Sequence, residues 1–370
     1  MSSNATGGSI RDSVPHEDVR RLAIESVGGR VVATEGIAGG LGPRTFFRLV
    51  FGNARVQSAI ARVDAPEDAS LRPAGIPPEP EFETIRHWME SEGLPVPKSY
   101  GRSASRHIDL LEDLGPVSLK DACRSATPKE RKALYRSATR LVPRLQRLSL
   151  PEGIPTAERR LDAPLFRYKA QQVVDWLLPF ALGREARPEE RRAVLEGFDY
   201  IGQRCLSAPQ RVAHRDFQST NLYLRNHGTG SFDLAMIDFQ GAFLAPPEYD
   251  LVCLLRDPHV ALPEDEIQNH LSAIRDELPD RPEAAEFETR FDLLTLTRCG
   301  KDLARYRYAT IERGDARYRE ASLVAARTLQ AVAQRVRRKE PRLAPLCDLF
   351  CELPSSETDR SISETSSCEQ

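Results

Sequence analysis

The segment His214-Arg215-Asp216-Phe217-Gln218-Ser219-Thr220-Asn221 constrains this chain more than any other. A β-prone run, Arg211-Val212-Ala213, leads into it, and a second run, Leu234-Ala235-Met236-Ile237, ends on Asp238. An acid on a loop, an amide further along it and a second acid after the next strand form an ordered set of oxygen donors. Transfer of a phosphoryl group from ATP needs a base beside the acceptor hydroxyl and oxygen ligands for Mg²⁺. Asp216, Asn221 and Asp238 supply both in the right order, because Mg²⁺ is a hard cation that takes oxygen. The plain alternative is a chance tripeptide beside an ordinary turn. The full eight-residue pattern, with a strand-borne acid after it, argues against that.

Around this loop the hydrophobic pattern changes once along the chain. Val31–Thr34, Thr45–Phe51, Val56–Val63 and His107–Leu111 read as short strands separated by Gly- and Asn-containing turns. One helix interrupts them: Glu81–Glu92 carries Phe82, Ile85, Trp88 and Met89 on a single face and stops before Gly93. Beyond Gly115 the pattern is helical. Thr127-Pro128-Lys129-Glu130 is a capping box with proline at the first helical position, and Pro164–Phe180 and Pro188–Leu206 repeat the proline-first signature. Glu264–Glu277, Glu283–Arg307 and Arg317–Arg338 follow. The expectation is an α+β chain with a small strand-rich lobe, a larger helical lobe and a ligand cleft where they join.

Composition excludes several classes. The 370 residues carry 52 Lys+Arg against 54 Asp+Glu, which does not suit a dedicated nucleic-acid binder. No stretch approaches the roughly 20 apolar residues of a membrane span, and the N-terminus has no basic start before an apolar run. The expected setting is cytoplasmic, with no membrane or nucleic-acid partner. Seven scattered cysteines without a C-x-x-C pair read as reduced thiols and not as a metal site. The ends, residues 1–16 and 351–370, are small, polar or acidic and read as flexible tails. The oligomeric state is not legible.

A second signal lies upstream. Glu35–Pro43 is glycine-rich between two β-prone runs, and its Gly39, Gly40 and Gly42 would let backbone N–H groups approach phosphates closely. Gly-rich hairpins are common, so its weight comes from preceding the His214–Asn221 loop.

Together these stretches resemble the aminoglycoside phosphotransferase group of kinase-like enzymes. Within that group the chain is similar to bacterial kinases of the anomeric hydroxyl of N-acetylmuramate and N-acetylglucosamine. The resemblance rests on Arg44–Arg48, Asp64–Pro66, Gly93–Pro97, Leu110–Gly115, His214–Asn221, Ile237–Gln240, Tyr249–Asp257 and Leu296–Lys301. It implies a bilobal protein-kinase-like fold: a nucleotide-binding lobe over 17–114, ending in a hinge, and a helical lobe over 115–350. It implies ATP and Mg²⁺ as cofactors, Asp216 as catalytic base, and Asn221 and Asp238 as metal ligands. His214 would brace the loop. Asp250 would steady it, a plain helix N-terminal acid being the other reading. The hinge backbone, Glu112 and Leu114 included, would meet adenine.

One departure stands out. Protein kinases place a lysine on the third strand, paired to a glutamate on the next helix. Here the first lysine is Lys98, and the strand offers Arg62, with Glu83 or Glu81 as the matching carboxylate. A surface arginine on an edge strand is the competing reading.

The acceptor is approached through charge. Residues 281–339 hold fourteen Lys/Arg against eight Asp/Glu, and Arg298, Lys301 and Arg305 form a helical stripe. A solvated face is the expected meaning. If Arg298 and Lys301 line the acceptor site instead, they suit a neutral or carboxylated sugar better than a polycation. The expected function is a small-molecule kinase acting on a sugar or amino-sugar hydroxyl. An aminoglycoside, choline or homoserine kinase is the alternative enzyme, and a nucleotide-binding pseudokinase scaffold the alternative of another class.

Overall fold

The computed structural model describes residues 16–39, 44–52, 54–65, 75–226 and 232–354. Gly40 and Gly42 of the glycine-rich segment, and most of both terminal tails, lie outside these residues. The contacts divide the chain into two units: residues 1–71 with 96–115, and residues 72–95 with 116–370.

The first unit opens with helix α1 (His16–Val27), whose short apolar stripe lies within a charged segment. Five strands follow: β1 (Arg30–Ile37), β2 (Thr45–Gly52), β3 (Ser58–Val63), β4 (Ser99–Ser103) and β5 (Ile108–Glu112). They form one antiparallel sheet in the order β1-β2-β3-β5-β4. The period of two decides its faces. Phe47, Leu49 and Phe51 on β2, Ala59, Ala61 and Val63 on β3, and Ile108 and Leu110 on β5 share one core with Val19, Leu22 and Ala23 of α1. The intervening positions, Arg62 and Asp109 among them, therefore point to the face away from α1. At Gly101 a Cβ would run into the Ser26 side chain, so only glycine lets the end of α1 lie this close to β4.

The second unit is mostly helical. Helix α2 (Phe82–Ser91) belongs to it, with Trp88 Nε1 donating to the Ser149 carbonyl at 3.1 Å and Phe82 stacked on Phe239 at 5.2 Å. Next come α3 (Leu119–Ser125), α4 (Pro128–Thr139) and α5 (Leu141–Gln146). The Thr127 capping box is present: its Oγ1 accepts from the Glu130 N–H, and the Glu130 carboxylate accepts from the Thr127 N–H. Helix α6 (Ala163–Gln172) runs through a π turn, Val173–Leu177, into α7 (Leu178–Leu182), and α8 (Pro188–Leu206) follows.

Short strands then carry the loop region. β6 (Arg211–Ala213) pairs with β9 (Phe243–Ala245), and β7 (Leu222–Asn226) pairs with β8 (Phe232–Met236). Helices α9 (Tyr249–Leu255), α10 (Glu264–Arg275), α11 (Ala284–Arg313), α12 (Arg319–Lys339) and α13 (Ala344–Cys351) complete the unit. Helix α11, 30 residues long, is central: every residue from Arg290 to Lys301 is buried. A helix buried all round lies in the middle of a core, not at its rim. Among the described residues, no helix is long and apolar enough to cross a membrane.

Candidate active site

The loop after β6 is held by a carboxylate that belongs to another helix. Asp250, in the first turn of α9 and 2% exposed, accepts from the His214 N–H at 2.7 Å and the Arg215 N–H at 3.1 Å. Burial raises its pKa to about 7, against the pull of those two N–H donors and of Arg298. The clamp matters because Arg215 sits at φ 82, in the left-handed region that a non-glycine residue rarely adopts. Such strain persists only where the surroundings over-determine the backbone. The Arg215 carbonyl is gripped as well, by Cys253 Sγ at 3.4 Å and Arg298 Nη1 at 2.9 Å. Farther along, Asp257 accepts from the Ser219 N–H at 2.7 Å and from its hydroxyl at 2.5 Å. His214 is fully buried edge-on to Phe217, and burial lowers its pKa to about 4, so the ring is neutral.

Asp216 follows the strained residue. Its carbonyl accepts from the Gln218 N–H and the Asn221 amide, each at 2.9 Å, and its Oδ1 accepts from Arg298 at 3.1 Å. The side chain keeps 33% exposure, so the carboxylate is both anchored and reachable. Burial pushes its pKa up, but Arg298, Arg215, Lys301 and Arg305 outweigh that and hold it far below the ordinary carboxylate range.

The hairpin of β7 and β8 brings the remaining oxygen donors together. Leu222 pairs with Met236, and one step outward the Ile237 N–H donates to the Asn221 carbonyl at 3.0 Å. Asp238 is therefore a single residue from a backbone partner of Asn221. Asp238 is exposed and left-handed, at φ 63. The Asn221 amide nitrogen is committed to Asp216, which leaves the amide oxygen as its ligand end. An amide oxygen and an exposed carboxylate beside the end of one ladder, the carboxylate accepting from Gln240 Nε2 at 2.8 Å, are a donor set that fits Mg²⁺. Among the described residues, no group of three His, Cys, Asp or Glu is arranged for a metal.

Arg298 and Lys301 correct the expectation of a solvated stripe. They are 5% and 8% exposed, and only Arg305 faces solvent. Asp302 is the reason: it accepts from Arg298 Nε at 2.7 Å and pairs with Lys301 Nζ at 2.5 Å, which makes burial of both cations affordable. Lys169 of α6 is a further buried cation beside this site, one that the sequence pattern does not reveal. It is 4% exposed, donates to the Tyr249 hydroxyl at 3.2 Å, and lies over the Tyr249 ring at 5.0 Å. Burial, with Lys301 and Arg298 nearby, lowers its pKa to about 7. No periodicity in the sequence marks it, and Asp302 was hidden as one acid in a basic run.

Arg62 is no edge-strand surface residue. β3 is the middle strand, and Arg62 is 5% exposed. Its guanidinium meets Asp109 at 2.9 Å, directly opposite in the β3–β5 register, and Asp64 at 2.8 Å. Arg44 and Arg102 join the same two carboxylates. Glu83 binds Arg86 of its own helix at 2.7 Å and 2.8 Å. In the segment carrying Glu112 and Leu114, Asp113 accepts two bonds from Arg48, at 2.8 Å and 3.1 Å, and one from the Gly115 N–H. The Glu112 carboxylate accepts from the Lys98 N–H at 3.1 Å. Gly39 ends the described part of the glycine-rich segment, where a Cβ would come within 3.2 Å of the Arg44 carbonyl.

A five-stranded antiparallel sheet, a largely helical second unit and an Asp-loop-Asn with an Asp just past the next strand define a kinase-like phosphotransferase. The profile described as the phosphotransferase enzyme family matches residues 33–287, and the chain belongs to that family. It is 27% identical over 297 residues to an N-acetylmuramate/N-acetylglucosamine kinase of Pseudomonas aeruginosa, covering 78% of this chain and 83% of that one. A protein of the same description from Pseudomonas putida is 24% identical over 277 residues, covering 74% and 77%. Among solved structures, a choline kinase from Streptococcus pneumoniae superposes with a TM-score of 0.60 at 15% identity, covering 86% of this chain and 99% of that one. At that identity the likeness speaks for the kinase-like fold alone.

Proposed function

We propose that this enzyme is an ATP- and Mg²⁺-dependent sugar kinase that phosphorylates the anomeric hydroxyl of N-acetylmuramate or N-acetylglucosamine. Asp216 is the base: its carboxylate receives the acceptor proton while Asp250, Arg298 and Cys253 hold the loop still. Asn221 and Asp238 hold the metal, which when bound neutralises charge on the phosphates. In the first unit, Gly39, Gly40, Gly42 and Arg62 serve the phosphates, and the backbone from Glu112 to Leu114 serves adenine. The enzyme's place is the cytoplasm, where such sugars are recovered from cell-wall material.

The observation that carries the choice of acceptor is the charge around Asp216. Arg298, Arg215, Lys301 and Arg305 act on Asp216, and Lys301, Arg298 and Arg215 act on the neighbouring Lys169. A polycationic aminoglycoside or a choline headgroup would enter against that field, whereas a neutral or carboxylated sugar would not. The description shared by the relatives supports the same reading. A phosphate-transfer assay with ATP across N-acetylglucosamine, N-acetylmuramate, their 1-O-methyl glycosides, kanamycin and choline tests it. Turnover is expected with the two free sugars and not with the glycosides, whose anomeric oxygen is blocked. Preferential phosphorylation of kanamycin or choline would sink the reading. An ATP-dependent shift in melting temperature without transfer to any acceptor would favour a scaffold.

A further inference from the structure

The guanidinium of Arg298 spans three partners. Nε donates to Asp302 Oδ2 at 2.7 Å, and Nη1 is shared between the Arg215 carbonyl at 2.9 Å and Asp216 Oδ1 at 3.1 Å. It comes from α11, while its two loop partners lie 82 and 83 residues earlier in the chain. Asp302 is itself fixed on its other oxygen by Lys301. A planar fork anchored at one end and forked at the other sets direction as well as charge.

We propose that Arg298 is the positioning residue of the transfer site: by occupying Oδ1 of Asp216 and the carbonyl of Arg215, it leaves Oδ2 as the one carboxylate oxygen that meets the acceptor. This rests on Asp216 being the base. The acceptor O–H gives its proton to Oδ2 as its oxygen bonds to the γ-phosphorus. The bond from that phosphorus to the bridging oxygen breaks, and its electron pair leaves on the nucleoside diphosphate. Arg298 takes no part in bond making. It prevents rotation of the carboxylate and relaxation of the left-handed Arg215 behind it. Its low exposure, and the commitment of Nε and Nη1 to Asp302, Arg215 and Asp216, argue against a direct grip on the sugar, the role that its charge alone suggested.

Steady-state kinetics of the full chain with ATP and N-acetylglucosamine test this, with the melting temperature recorded for each variant. Displacement of a catalytic group by about 1 Å costs on the order of 100-fold in rate. Arg298→Met should therefore lower kcat by about 100-fold while the acceptor KM stays within about threefold. Arg298→Lys keeps a cation but not the fork, and should regain about tenfold over the Met variant. A rise of acceptor KM with kcat retained would make Arg298 a substrate contact and overturn the inference, as would a wild-type kcat. If Arg298→Met shows no cooperative melt, Asp302→Asn serves instead: it keeps the arginine but weakens its anchor. A fall of about tenfold in kcat at unchanged acceptor KM supports the role, and an unchanged kcat overturns it. Asp216→Asn separates the two readings. If it is inactive while Arg298→Met turns over normally, only the Arg298 inference fails; if it retains full turnover, the base assignment fails and takes this inference with it.

Discussion

Both units bury an arginine against two aspartates, and the two arrangements are built differently. Arg62 meets its carboxylates across a sheet: Asp109 stands opposite it on β5, and Asp64 lies two positions along the chain. Arg298 meets Asp302 one helical turn away and Asp216 across the fold. The balance between burial and the neighbouring acids is opposite, although both guanidinium groups stay charged. Burial outweighs the acids around Arg62 and lowers its pKa, whereas at Arg298 the acids outweigh burial and raise it. The sheet network joins strand to strand, so damage to it should appear first as lost stability. The helix network grips a loop that carries chemistry, so damage there should appear first as lost rate.

The strongest test of that division is Asp216→Asn. General-base catalysis contributes typically 10²–10⁴-fold, so kcat should fall by about 1,000-fold, while the melting midpoint should fall less than in Arg62→Met because Arg298 keeps its pair with Asp302. Arg62→Met should do the reverse. Removing one partner of a buried ion pair costs about 3–5 kcal/mol, readable as a lower urea midpoint, with a smaller effect on kcat than Asp216→Asn. An unshifted midpoint would break the comparison. Asp250→Asn lies between the two. It sets an amide N–H₂ against one of two backbone donors, an unmet bond worth about 1–3 kcal/mol, and should reduce stability and kcat together. Loss of only one of the two would show that the loop clamp is not shared between folding and turnover.

The last effect concerns pH and is spread over several units of it. Burial lowers the Lys169 pKa from 10.5 to about 7, so between those values the unfolded chain binds a proton that the folded chain does not. Stability therefore rises with pH across that window, and this contribution is lost as pH falls through about 7. Facing Lys169 are Arg215, Arg298, Lys301, Cys253 and Tyr249. One such group contributes a slope of about 1.4 kcal/mol per pH unit. In Lys169→Met, unfolding free energies measured from pH 7 to 10 should lose that slope. A slope equal to that of the parent would place the titration elsewhere.

The sequence exposed some of these features because they are local. The Thr127 capping box, the alternation of β2 and β3 and the His214–Asn221 spacing all depend on neighbours within a few residues. Arg298 and Lys301 were misread because charge on a helix ordinarily means solvent, and only partners brought in by tertiary packing reverse that. Lys169 left no trace for the same reason: its hydroxyl partner is 80 residues away. Helix α1 escaped notice because its buried stripe is only Val19, Leu22 and Ala23 within a charged segment. Arg62 was located on the right strand, but its partners Asp64 and Asp109 depend on strand order, which alternation alone does not give.

The β7–β8 ladder has a practical consequence. Asn221 and Asp238 flank the open end of the hairpin, beside the Leu222–Met236 pair, so their spacing is set by that register and not by whatever joins Asn226 to Phe232. Peptide tags or reporter segments spliced into that junction would be separated from the donor pair by the full length of the ladder. A one-residue slip of the ladder itself, by contrast, would change which backbone group meets Asn221 and carry Asp238 away from it.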